Sequence, residues 1–212
     1  MVLTAGEFRL ELRQKYALYG MLLYICSTLF VLYIALMHPV ADVWNALFWV
    51  VQLFITVNTV SRSFLRETKD RMLYYYTLVD PRAFMLAKLL YNVVLMGAMS
   101  LVTLGLYAVL LGNPLIQPLF FTGMVCLGGF SLSLVFTMLS AIAARAGQNA
   151  ALMAIMGFPV VIPMIMVLVN ASKMAFAPVF QPGLQRMLLM LVGLDVLVVA
   201  LSLVLFPYLW KN

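Results

Sequence analysis

SRSFLRETKDRMLYYYTLVDPRAFMLAK, residues 61–88, gathers nine charged side chains: Arg62, Arg66, Glu67, Lys69, Asp70, Arg71, Asp80, Arg82 and Lys88. The whole chain of 212 residues has only 13 Lys and Arg and 7 Asp and Glu, so nearly half of its charge lies in this one short segment. At 66% hydrophobic and 9% charged residues it falls far below the roughly 25% charge of soluble domains. The segment therefore reads as a water-facing platform held at a membrane surface by apolar helices around it. Platforms of this kind serve as a grip for another protein.

Working outward, runs long enough for a helix to cross a bilayer, about 20 apolar residues, occur at 17–37, 43–60, 84–111, 119–144, 150–169 and 188–209. These predict an all-α membrane protein of six transmembrane helices forming one domain over residues 1–212. Ahead of them, residues 3–15 mix Leu3, Phe8, Leu10 and Leu12 with Glu7, Arg9, Glu11, Arg13 and Lys15. That pattern is too polar to cross and predicts a helix lying in the interface. With a cytoplasmic N-terminus, 11 of the 13 basic residues fall inside, and only Lys173 and Arg186 fall outside. Both termini are then cytoplasmic. Lys88, one turn inside the third span, is placed to snorkel back to the interface. Trp44, Trp49, Tyr208 and Trp210 lie near span ends, where interfacial aromatics collect. The outer connection 170–185 is too apolar for a solvated loop, so it should dip into the membrane surface or pack on another protein.

Within the coupling segment 61–82, Phe64, Leu65, Thr68, Met72, Tyr75 and Tyr76 fall at helical spacing on one side. Arg62, Arg66, Lys69 and Asp70 take the other side, as an interfacial amphipathic helix would have it. Glu67 and Arg71 form an i,i+4 pair in the favourable order, worth about 0.2–0.5 kcal/mol. Asp80-Pro81 stops the element, because the residue before proline is driven out of helical geometry. A plain positive-inside loop would need neither the acids nor this defined stop. The alternative reading is an anchor alone.

Pro159 and Pro163 lie four apart in the fifth span and predict a kink or break, facing protein or a cavity. Asp195 is the one carboxylate placed deep in a span, and Gln52 is at similar depth. A charge left in lipid costs at least about 2.5–3.5 kcal/mol, so Asp195 should face the bundle and find a partner there. Either residue serves a structural hydrogen bond, or else a transport path or a partner interface. His38, the single histidine, sits at a span end where water competes with any ligand. Cys26 and Cys126 fall in apolar runs without a Cys-x-x-Cys pair, so they behave as small buried apolar residues. No phosphate-binding Gly-x-x-x-x-Gly-Lys-Ser/Thr loop, Gly-x-Ser-x-Gly elbow or His-Glu-x-x-His helix is present. The reading is not an enzyme, with no metal site and no cofactor held in this chain. Net charge +6 is spent on orientation rather than on a basic surface, which argues against nucleic acid.

Particular stretches resemble one family. Residues 8–13 (Phe-Arg-Leu-Glu-Leu-Arg), the platform 61–88 with Pro81 and Ala87-Lys88, and 158–164 with its two prolines are similar to the heme exporter protein B family. Residues 74–78, Tyr91-Asn92 and the ending 206–210 look like one branch of it. The resemblance covers almost the whole chain. It implies an ABC-2-type exporter fold and a permease-like subunit of cytochrome c maturation in the bacterial inner membrane. It further implies a separate cytoplasmic ABC ATPase as partner, with a heme-handling membrane subunit and a heme chaperone beside it. Heme and ATP would be handled by those partners. Alternatives are an exporter subunit for a lipid, drug or glycan, and a non-transporting membrane scaffold.

Overall fold

In a computed structural model, residues 15–36, 39–65, 81–145, 150–177 and 183–211 are described. They form α1 (Lys15–Leu36), α2 (Ala41–Leu65), α3 (Pro81–Leu111), α4 (Pro118–Arg145), α5 (Ala150–Ser172), a 3-10 turn (Lys173–Phe176) and α6 (Leu184–Lys211). All six α-helices are long and apolar enough to cross a membrane. The protein is a multi-pass, all-α membrane protein. In lipid every backbone N–H and C=O must find a partner inside the chain, and a continuous helix supplies one.

Local chemistry sets several ends. Proline opens both α3 (Pro81) and α4 (Pro118), at a position where its missing N–H is no loss. Gly112 ends α3 with φ +80°, a left-handed conformation that a β-carbon resists. Just beyond it, the Asn113 side chain accepts a bond from Leu115 N–H (3.2 Å) and turns the chain toward α4.

The helices run antiparallel in sequence order. One end of the bundle carries Lys15, Leu65, Pro81, Arg145, Ala150 and Lys211, and is called here the basic end. The other is closed by the 36–41, 111–118 and 172–184 connections and forms the capped end. Helix α4 is the hub: it packs on α2, α3, α5 and α6, and 72% of its span is buried. Peripheral α1 rests on α2 and α3 with 17% of its span buried.

Several expectations need correction. The first residues of the coupling segment 61–82 are not a separate helix: 61–65 continue α2 and 81–82 begin α3. Residues 66–80, the interfacial stretch 3–14 and His38 lie outside the described residues. Trp44 and Trp49 lie toward the capped end of α2, but they are fully buried in the bundle rather than facing out of it. Lys88 does not snorkel to the surface; it is buried, with its ammonium 5.9 Å from the Phe84 ring centre. Cys26 and Cys126 are on outward faces of their helices, not inside the bundle.

Candidate functional site

The capped end is built on an aromatic cluster. Trp44 meets Tyr107 and Phe121 edge-on at centroid distances of 4.7 and 5.4 Å, and Phe176 at 5.8 Å. Its indole N–H donates to the Gly112 carbonyl (3.1 Å), and the Tyr107 hydroxyl donates to the Trp44 carbonyl (3.0 Å). Beside it the Trp49 indole N–H donates to Ser172 Oγ (2.8 Å), while Asn45 Nδ2 donates to the Val169 carbonyl (2.9 Å). Residues 173–177 therefore pack on the chain's own helices. The Ala175 carbonyl accepts from both Ile116 N–H and Gln117 N–H, at 3.1 and 2.9 Å. Lys173 and Asp42 pair at 3.3 Å on the exposed rim of this cap. The rest of the outer connection, 178–182, lies outside the described residues.

At mid-depth the polar side chains turn inward. Gln52 Nε2 donates to Ser100 Oγ, joining α2 to α3, and both residues are fully buried. Gly129 on α4 faces this pair: a β-carbon there would press on Ser100 Oγ and reach Gln52 Nε2. Two turns toward the basic end, Asn92 Nδ2 donates to Thr137 Oγ1 (3.0 Å), joining α3 to α4. Thr137 in turn donates to the Ser133 carbonyl (2.6 Å). On another face of α4, Ser131 Oγ donates to Asp195 Oδ2 (2.6 Å) and ties α4 to α6. Asp195 thus has a buried partner, and its other oxygen has none among the described residues.

The prolines neither break the helix nor face the bundle. Helix α5 runs without a break from Ala150 to Ser172, with Pro159 and Pro163 inside it. Both rings are on the exposed face of α5, away from the bundle. The remaining α5 bonds and the packing of Val161, Met164 and Leu168 into the core hold the helix together. Arg62 lies in the last turn of α2; Arg66, Glu67, Lys69, Asp70 and Arg71 lie outside the described residues. No group of three or more His, Cys, Asp or Glu comes together among the described residues. What the arrangement can do is mechanical: buried hydrogen bonds fasten α2 to α3, and α3 and α6 to a central α4.

A match to the family described as CcmB protein spans residues 1–208. The chain belongs to the CcmB family. That is the heme exporter protein B family, whose members are membrane components of a heme-exporter ABC complex serving cytochrome c biogenesis. CcmB proteins are transporter permease components rather than typical enzymes. No curated protein and no solved structure matches the chain.

Of the partners that complete these buried links, Ser100, Ser131 and Thr137 do not stand out in the sequence, and Asn92 does so only as part of the family resemblance. A signal was present. Gly129, Ser133 and Thr137 recur every four residues, and so do Asn92, Met96 and Ser100, which puts each set on one helix face. In membrane helices, small and hydroxyl residues at that spacing mark close helix contacts.

Proposed function

We propose that this CcmB chain is the mechanical link of its complex, coupling a separate cytoplasmic ATPase to a heme-handling membrane subunit and its chaperone. The supporting observation is the placement of buried bonds relative to the charged segment. Residues 66–80 connect the end of α2 to the start of α3. Those two helices are joined by Gln52–Ser100, and α3 is joined to α4 by Asn92–Thr137. A displacement of the segment is thereby passed to the hub helix and on to α6 through Ser131–Asp195. The basic end faces the cytoplasm of a bacterium with the protein in the inner membrane, as the distribution of Lys and Arg favours. ATP and heme belong to the partners, since this chain offers neither a phosphate-binding loop nor a histidine within its spans.

The test is charge reversal at Glu67 and at Asp70 in the assembled complex. ATPase activity should become uncoupled from cytochrome c maturation while the variant chain stays folded in the membrane. Full co-purification with a fully coupled ATPase would reduce the segment to an anchor and remove the proposed link.

A further inference from the structure

Four buried side-chain atoms lack a hydrogen-bond partner among the described residues and share one seam: Gln52 Oε1, Thr59 Oγ1, Asn92 Oδ1 and Ser133 Oγ. Their residues are at most 2% exposed. The register of the three helices brings them together. Gln52, Ser100 and Gly129 meet at one level, and Asn92 meets Thr137 at another. Those levels are eight residues apart along both α3 and α4, which is about 12 Å at 1.5 Å per residue. Thr59 is seven residues and Ser133 four residues toward the basic end from the Gln52 level, so both fall between or beside them. Spacings of four, seven and eight keep each set on one face of its helix.

A bare carbonyl or hydroxyl in a low-dielectric interior costs about 1–3 kcal/mol. Four in one seam would tax a helix bundle heavily, and native structures resolve such clusters with bound water. A neutral ligand that donates hydrogen bonds fits all four groups. Ser131 and Asp195 are not part of the seam, because position 131 is about 200° around α4 from 129 and from 133.

We propose that the α2–α3–α4 seam is a hydration site: ordered water molecules bind Gln52, Asn92, Ser133 and Thr59 from mid-depth toward the basic end. Water-mediated bonds are nearly as favourable as direct ones and exchange at small entropic cost.

X-ray radiolytic footprinting of the intact protein in nanodiscs tests this, because hydroxyl radicals form at the water molecule itself and react within a few bond lengths. Met96 lies between Asn92 and Ser100 on the seam face of α3 and is fully buried. Met164 is equally buried and lies on α5, which contributes none of the four groups. Oxidation of Met96 severalfold faster than that of Met164 is expected. In Asn92→Leu the Met96 rate should fall severalfold. A wild-type Met96 as protected as Met164 overturns the proposal, and so does a Met96 rate undiminished in Asn92→Leu.

Discussion

Trp49 can reach Ser172 only because residue 128 has no side chain. The edge of the indole lies where a β-carbon of Gly128 would be, so the glycine is there for close approach rather than for an unusual φ. The same logic applies where Gly129 admits the Gln52–Ser100 pair. Asp195 is the most exacting of these residues, since a carboxyl in the bundle depends on the one hydroxyl that donates to it. Ser131→Ala should destabilise the protein by about 1–3 kcal/mol, the usual cost of stranding a buried polar group. Adding Asp195→Leu to it should recover much of that loss, because removing both partners leaves nothing stranded. Melting curves in detergent read both effects. A Ser131→Ala variant that melts with the wild type would show that the carboxyl does not rely on this bond.

For the elements, the clearest case is α5. Proline inside a helix removes one backbone bond and costs about 3 kcal/mol relative to alanine. In α5 that cost falls twice, at carbonyls of Ile155 and Pro159, yet the helix continues because its opposite face is locked into the core through Val161, Met164 and Leu168. Since neither ring is packed inside the bundle, replacing Pro159 and Pro163 together with alanine should raise the melting temperature. A fall would mean that the rings make contacts that the exposed face of the chain does not reveal. Cytochrome c output of the same variant then separates a stiffer helix from an inactive one. Helix α4 is different in kind: it packs on four helices, leaves only a narrow stripe through Gly123, Cys126 and Phe130 facing out, and bonds to α3 and α6 through Thr137 and Ser131.

At the scale of the whole molecule, orientation is the open quantity with the most direct readout. Single cysteines at Lys69 and Lys173, in a chain with Cys26 and Cys126 replaced, should label from opposite sides of the membrane. Labelling of both from one side would sink the proposed topology and with it the docking of an ATPase on residues 66–80.

Six spanning helices were legible in the sequence. Hydrocarbon demands that the backbone satisfy itself, and runs of about 20 apolar residues are the direct mark of that demand. The inward tendency of Asp195 was also legible, because lipid penalises a carboxylate wherever the helix turns. Which face of each helix points inward was not. A spanning helix is apolar all round, so the contrast that reveals the core face of a soluble helix is missing. Trp44 and Trp49 could therefore be read as interfacial when they are buried, and Pro159 and Pro163 as inward when they face out. Only the packing of α2, α3, α5 and α6 around α4 decided these faces, through shape at Gly128 and Gly129 and through hydrogen bonds from Gln52, Asn92 and Ser131 that lipid could not replace.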